Sequence, residues 1–235
     1  MKKIVFLSFI LVIALASQLS VMAANNIDLT TDTTYQKEGT NLLSLNKTVS
    51  YSSTYTAASG AWKADALVDG KISNTNPLGW TSDPNDPQQA EDAPVWVQID
   101  LGDVYGIERI VLWPRQDKDP VMGYPVDFTL QLSIDGDNWT TVATSTGNTN
   151  VDYDAKIFDI SKTNARYVRM HCTKRAKDPG SNQWLAQLSE MAVYGGEPVT
   201  SSPETSDSAV SLLLISFVIA FSACVLKVHK KKAEG

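Results

Sequence analysis

A charged loop between two runs of β-type residues holds the groups best suited to binding a polar ligand. Arg115, Asp117 and Asp119 lie within five consecutive positions. The arginine guanidinium is a planar fork of N–H donors and the carboxylates accept hydrogen bonds, so the loop can bond the hydroxyl groups of a ligand. The alternative is an ion pair between Arg115 and one of the aspartates, which at a surface contributes only about 0.2–1 kcal/mol.

The elements around this loop are predicted to be β-strands. In the run that follows it, Phe128, Leu130, Leu132 and Ile134 alternate with polar residues, which predicts a strand with one buried face that includes all four. Asp135-Gly136 then supplies a hairpin turn. The other β-type runs are residues 95–101, 107–113, 155–160, 166–173 and 188–194. Many short strands with turn signals predict an antiparallel sandwich or barrel, with its function in the long loops.

The two ends of the chain have the pattern of targeting segments. Residues 1–23 combine two lysines, an apolar core and a small-residue cleavage site, which predicts a secretory signal peptide; an uncleaved anchor is the alternative. Residues 210–226 are apolar and uncharged, which predicts a short transmembrane helix. The lysines in residues 227–235 predict a basic cytoplasmic tail.

A short motif precedes the apolar C-terminal segment. Residues 202–207 read Ser-Pro-Glu-Thr-Ser-Asp and resemble a Gram-positive cell-wall sorting signal. Ser202 and Ser206 replace the commoner Leu and Gly, so the resemblance implies a variant signal, cut after Thr205 by a sortase and joined to peptidoglycan. The alternative is a polar stalk, residues 196–209, before an anchor that is retained. Both alternatives place the protein on the extracellular face.

Composition restricts the classes of ligand. Residues 24–207 hold 14 of the 20 Lys and Arg and 25 of the 26 Asp and Glu, a formal net charge of −11. That charge argues against nucleic acid or anionic lipid as partners, so contact with the membrane is expected only through the C-terminal segment. Cys172 is the single cysteine of this region, which excludes an internal disulfide there and indicates a buried structural thiol.

Eight short motifs follow one another between residues 41 and 195. They are residues 66–70, 79–80, 96–102, 107–110, 133–136, Trp139, 166–169 and 189–195. In this order they resemble the discoidin family, also called factor V/VIII type C domains, whose bacterial members are carbohydrate-binding modules of family 32. The resemblance implies an all-β jelly-roll sandwich of about eight antiparallel strands over residues 41–195, preceded by a linker at 24–40.

The same resemblance implies one structural calcium ion. Asp69 and Glu190 match the positions of the family's carboxylate ligands, and Ca²⁺ takes six to eight oxygens, many of them backbone carbonyls. Asn74 stands where the family usually has threonine, so Ser73 and Thr75 are the candidate hydroxyl ligands. The alternative is that Asp69 caps a turn and Glu190 is a solvated carboxylate at the end of a strand.

For the sugar site, the resemblance implies an aromatic platform beside a few directed polar groups. The candidates are Arg115, Asp117, Asp119, Trp62, Trp184 and Asn182, with Tyr55 a weaker choice. Arg115 occupies the place where sugar-binding members carry their arginine, and we expect an Arg115→Ala variant to lose sugar binding and keep its melting temperature. Trp80, Trp96 and Trp139 match structural positions of the family.

These features predict a protein that binds carbohydrate and is not an enzyme. The expected ligands are galactose or N-acetyl-sugar glycans of host or dietary origin, captured at a bacterial cell surface. The alternative is an adhesin that binds protein or lipid through the same loops. A glycan-active enzyme is less favoured, because the sequence has many carboxylates but no motif that indicates a catalytic pair.

Overall fold

The computed structural model describes residues 26–199, which form an all-β fold with one short 3-10 helix at Ala64–Val68. The strands are β1 (Ile27–Asp28), β2 (Asn41–Leu42), β3 (Thr48–Tyr51), β4 (Lys71–Ile72), β5 (Trp80–Thr81), β6 (Val95–Trp113), β7 (Asp127–Ser133), β8 (Thr140–Ser145), β9 (Lys156–Lys174), β10 (Ala176–Asp178), β11 (Gln183–Leu185), β12 (Gln187–Leu188) and β13 (Glu190–Pro198). Within the described range, no helix has the length and apolar character that crossing a membrane requires.

Four predictions fall on other parts of the chain. The signal peptide (1–23), the sorting motif (202–207), the transmembrane segment (210–226) and the basic tail (227–235) lie outside the described residues.

Two strands of 19 residues, β6 and β9, form the frame of the sandwich. They pair with each other antiparallel, with a break in register between Asp100 and Tyr105. On one side of this break, β3 adds to β6 and the β7–β8 pair adds to β9. On the other side, β13 adds to β6 and β2 adds to β13. Each long strand therefore takes part in both layers. The runs 95–101 and 107–113, which the sequence predicted as separate strands, are both parts of β6, and the runs 155–160 and 166–173 fall in β9 in the same way, apart from residue 155.

The core between the layers follows from the period-two pattern. Val95, Val97, Ile99 and Leu101 of β6 are all buried, and they belong to one cluster with the apolar residues of β7 and β13. The prediction of an antiparallel all-β sandwich is therefore confirmed. Ile134 is the exception among the predicted core residues: it is 59% exposed, because β7 ends at Ser133 and the chain has already entered the hairpin turn.

The segment predicted as a linker, 24–40, packs against the domain over its described part. Ile27 pairs with Ile72 as part of β1 and β4. Leu29 is 5% exposed, and the Tyr35 ring lies edge-on to Trp113 with centroids 4.9 Å apart. These three apolar side chains belong to a cluster that includes Val111 and Trp113 of β6. The linker prediction is therefore wrong for residues 26–40.

The predicted stalk begins later than expected. β13 continues to Pro198, which is paired with Tyr105, so the first residues of the 196–209 range still belong to the sheet. The packed unit therefore extends beyond the predicted limits of 41–195 at both ends.

The three tryptophans predicted to be structural differ in position. Trp80 is fully buried, whereas Trp96 and Trp139 are half-buried on an outer face. The Arg169 guanidinium lies 3.7 Å from the Trp139 ring centroid and 5.8 Å from that of Trp96, so these rings stack on a cation instead of filling the core. Cys172 is buried as predicted, and burial raises the pKa of its thiol to about 12.

Candidate functional site

The predicted arginine lies at the base of a buried cluster. Arg115 lies two residues after the end of β6 and is 7% exposed. Its Nε and Nη2 groups donate to the two carboxylate oxygens of Asp117, both at 2.8 Å, and Nη1 donates to Oε1 of Gln187 at 3.0 Å. The bidentate pair fixes the plane of the guanidinium. The ion pair considered as an alternative thus exists, and it is largely buried.

Gln187 is a site residue that the sequence did not reveal. It lies in β12, is 3% exposed, and donates from Nε2 to the Thr81 hydroxyl at 3.1 Å while it accepts from Arg115. Its backbone N–H donates to the Gly123 carbonyl at 2.7 Å. Gly123 has φ +73°, and a Cβ there would lie 2.1 Å from the Gln187 Oε1 atom. Glycine at 123 is therefore what allows Gln187 to reach the arginine.

One aromatic ring contacts this cluster, and a second aromatic residue lies on an adjacent loop. The Arg115 Cζ atom lies 5.1 Å from the centroid of the half-buried Trp62 ring, within the range of a cation–π contact. Tyr55 is 38% exposed, and its backbone N–H donates to the Thr81 carbonyl at 3.1 Å, which places its loop beside Gln187. The four residues Arg115, Asp117, Gln187 and Trp62 are called the arginine cluster below.

Burial of Arg115 changes one sequence-based expectation. An Arg115→Ala variant would leave the Asp117 carboxylate and the Gln187 carboxamide without their partner, and unsatisfied buried polar groups cost about 1–3 kcal/mol each. The expectation of an unchanged melting temperature therefore does not fit the geometry. Variants of Trp62 are better probes of binding.

Asp119 lies apart from the guanidinium. Its side chain is exposed, and the pKa of the Tyr153 phenol is raised by burial and by the charges of Asp119 and Asp117. The Tyr153 hydroxyl donates to the Lys118 carbonyl at 2.8 Å. Asp119 is therefore on the rim of the loop, where its carboxylate is accessible to a ligand.

Trp184 lies in a neighbouring cavity of about 290 Å³. The cavity lies between the 120–126 loop, residues 148–151 and the β10–β11 hairpin, and its lining includes Met122, Tyr124, Val151 and Trp184. In the hairpin, Lys177 is paired with Trp184, and its ammonium lies 5.4 Å from the ring centroid. The structure thus places Trp184 in a cavity that adjoins the arginine cluster at Gly123 but is not lined by any residue of that cluster.

Asn182 has a backbone role in the same hairpin. It adopts φ +58°, a left-handed conformation that asparagine tolerates, and its N–H donates to the Asp178 carbonyl at 2.8 Å. Its side chain is exposed at the turn, and it does not line the cavity. The structure therefore places Asn182 in the same hairpin as Trp184 but outside the cavity, and no hydrogen bond joins it to the arginine cluster.

The two predicted calcium ligands lie close together. Glu190 is 1% exposed; its Oε2 accepts from the Gly70 N–H at 3.2 Å, and its buried Oε1 has no hydrogen-bond partner. Burial and the nearby charge of Asp69 raise the pKa of Glu190 well above its ordinary value. Burial also raises the pKa of Asp69. A buried, partly unsatisfied carboxylate beside a second one is a pair that a bound cation would stabilise, so these residues fit a calcium role.

The other two predicted calcium ligands, Ser73 and Thr75, make no hydrogen bond with the carboxylate pair. Their hydroxyls bond one another at 2.8 Å on the same loop, and no hydrogen bond joins either of them to Glu190. Among residues 26–199, no group of three or more His, Cys, Asp or Glu side chains is arranged to hold a metal ion. Any further ligands here would therefore be carbonyl or hydroxyl oxygens.

Comparison with known proteins identifies the family. Residues 48–190 match the model of the F5/8 type C domain. The chain belongs to this family, as the motifs of the sequence predicted.

Solved structures confirm the fold. CBM32-3 from a family 31 glycoside hydrolase of Clostridium perfringens is 24% identical, with 68% of this chain and 99% of that chain covered and a TM-score of 0.52. The Clostridium perfringens module CpGH89CBM32-5, in complex with GalNAc-β-1,3-galactose, is 20% identical, with 65% and 97% covered and a TM-score of 0.51. The lectin domain of lectinolysin, complexed with Lewis B antigen, is 19% identical, with 69% and 99% covered and a TM-score of 0.50. The predicted discoidin-type jelly-roll is thus confirmed.

Proposed function

We propose that this protein is a non-catalytic carbohydrate-binding module for galactose or N-acetyl-sugar glycans of host or dietary origin. The observation that carries the proposal is the arginine cluster, which places a fixed guanidinium against an indole ring at a loop end of the sandwich. Two of the structurally similar modules are in complex with GalNAc-β-1,3-galactose and with Lewis B antigen, which supports the same class of ligand for this chain.

The arginine cluster can recognise a sugar with little rearrangement. A guanidinium has five N–H donors, and Asp117 and Gln187 use three of them, so one N–H on each Nη remains for ligand hydroxyls. The Trp62 ring offers an apolar surface for the C–H face of a pyranose, and Asp119 offers an acceptor at the rim. Groups fixed before binding lose little conformational entropy when the ligand arrives.

A calcium ion held by Asp69 and Glu190 is part of the proposal. It would supply positive charge to a carboxylate pair whose pKa values are raised by burial. In this role, Glu190 joins the start of β13 to the loop after the 3-10 helix through its bond from Gly70. The ion would therefore stabilise the loop and take no part in contacting the sugar.

The chain ends support display on a bacterial surface. We propose secretion through the signal peptide (1–23), followed by attachment to peptidoglycan by a sortase at residues 202–207 or by retention through the apolar segment (210–226). A rim site that buries little of its ligand binds weakly by itself. Many copies fixed to one surface would compensate through multivalency.

A glycan array with the full chain tests the proposal. We expect binding to galactose-, N-acetylgalactosamine- or N-acetylglucosamine-terminated glycans, and its loss in a Trp62→Ala variant. Ile134→Ala is the matched control, because Ile134 is exposed at the far end of β7. Absence of glycan binding together with retained binding to protein-coated or lipid surfaces would favour the adhesin alternative instead.

A further inference from the structure

We infer that the site binds an oligosaccharide of at least two sugar residues, one at the arginine cluster and the next in the cavity beside Trp184. This inference rests on the proposed function and specifies its ligand. The sequence predicted Trp184 and Arg115 as parts of one site, whereas the structure places Trp184 in a cavity whose lining does not include Arg115.

A wall formed by Gly123 and Gln187 separates this cavity from the arginine cluster. Gly123 lines the cavity, and Gln187 bonds Arg115 on the other side. The wall is closed, because the Gly123 carbonyl accepts from the Gln187 N–H at 2.7 Å and the Gln187 side chain occupies the space where a Cβ of residue 123 would lie. A single pyranose ring seated against Arg115 therefore cannot also enter the cavity.

The cavity and the arginine cluster are nevertheless close enough for one short glycan. Trp184 is three residues before Gln187, so their Cα atoms are at most about 11 Å apart. The cavity volume of about 290 Å³ is near the lower end of the range for small-molecule sites, about 300–1,000 Å³. It is therefore suited to one ring and not to a long chain.

The lining of the cavity indicates which kind of sugar residue enters it. Met122, Tyr124, Val151 and Trp184 give part of it an apolar wall, suited to the C–H face of a ring or to an acetamido methyl group. The charged group Glu91 is paired with Lys174 at 3.0 Å. The Lys177 ammonium lies on the Trp184 ring and can donate to a hydroxyl from there. This combination fits a neutral sugar residue.

The test compares the calorimetric affinities of the full chain for matched mono- and disaccharides. The pairs are galactose and lactose, N-acetylglucosamine and N,N′-diacetylchitobiose, and N-acetylgalactosamine and GalNAc-β-1,3-galactose. For the pair that binds, we expect the disaccharide to bind at least tenfold more tightly. Trp184→Ala should reduce the affinity for the disaccharide to that for the monosaccharide and leave the latter unchanged.

Two further variants keep the test independent of folding. Met122→Lys places a longer, charged side chain at the cavity and should have the same effect as Trp184→Ala, whereas Trp62→Ala should weaken both ligands of a pair. Ile134→Ala should change neither. Equal affinities for mono- and disaccharide in the wild type, or an equal loss for both in Trp184→Ala, would overturn the two-subsite inference alone. No binding to any of the six sugars would overturn the proposed function with it.

Discussion

Arg115 and Gln187 form a buried hydrogen bond of 3.0 Å that joins the loop after β6 to β12. The same glutamine bonds Thr81 in β5, so strands distant in sequence hold the guanidinium from one side. Asp117 holds it from the other side. The orientation of the arginine is therefore a property of the sandwich and not of its loop alone.

Removal of the hydrogen-bonding atoms of Gln187 tests this positioning role. Gln187→Met keeps the length of the side chain but leaves Nη1 of Arg115 and the Thr81 hydroxyl without this partner. We expect a loss of about 1–3 kcal/mol in the free energy of unfolding. We also expect the affinity for the preferred monosaccharide to fall about tenfold. Urea denaturation and calorimetry measure the two effects.

A Gln187→Glu variant separates positioning from packing. Its carboxylate keeps an acceptor toward Arg115 and loses only the donor toward Thr81, so it should bind sugar more tightly than Gln187→Met. Equal affinities in the two variants would show that the hydrogen bond to Arg115 does not govern binding.

The period-two pattern predicted the sandwich because strands with one buried face alternate strictly, as in Val95 to Leu101. Alternation does not define where a strand ends, so Ile134 was assigned to the core although it lies in the turn. The 26–40 segment was assigned as a linker because its few apolar residues follow no period. Leu29 is buried, and Ile27 and Tyr35 are partly buried, by partners far away in sequence.

The site was predictable only in part, because some of its contacts also come from residues far away in sequence. Arg115 and Asp117 are neighbours in sequence, and their types alone suggested a pair. The contacts from Trp62 and Gln187 come from 53 and 72 positions away. Nothing in the local sequence distinguishes Gln187 from any other polar strand residue. Gly123 is the one residue whose type agrees with the position of Gln187, because the glutamine side chain fills the volume that a Cβ at residue 123 would need.

A pair of glycines tests how closely the chain packs beneath the site. Gly79 has φ +110°, and a Cβ there would lie 2.2 Å from the Leu188 carbonyl oxygen, which is backbone and cannot move alone. We expect Gly79→Ala to prevent folding or to lower the melting temperature severely. Gly60 has a similar positive φ of +76° with nothing within 4 Å. Gly60→Ala should therefore cost only about 1–2 kcal/mol.

Thermal unfolding followed by circular dichroism measures the difference in melting temperature between the two alanine variants. Similar unfolding midpoints for Gly79→Ala and Gly60→Ala would mean that the backbone around Leu188 can yield, contrary to the packing described here.

Calcium removal tests the roles of Asp69 and Glu190. We expect added Ca²⁺ to raise the melting temperature of chelator-treated protein, because a ligand at 100 times its Kd that binds only the folded state adds about 2.7 kcal/mol. Glu190→Gln should abolish this increase, since it removes the charge of the buried carboxylate. Glu108→Gln is the matched control, because Glu108 pairs with Lys37 away from Asp69. No calcium heat and no melting shift in the wild type would exclude the site.

Leu29→Ala tests whether the N-terminal segment is part of the folded domain. Leu29 is 5% exposed and packs in a cluster with Trp113 and Tyr194. Truncation of a buried leucine costs about 2–5 kcal/mol, and we expect a loss in this range in urea denaturation. Thr33→Ala, at an exposed position of the same segment, should change the free energy of unfolding by less than about 0.5 kcal/mol. If both variants matched the wild type, residues 26–40 would behave as the linker that their composition suggested, because only a packed side chain can transmit its loss to global unfolding.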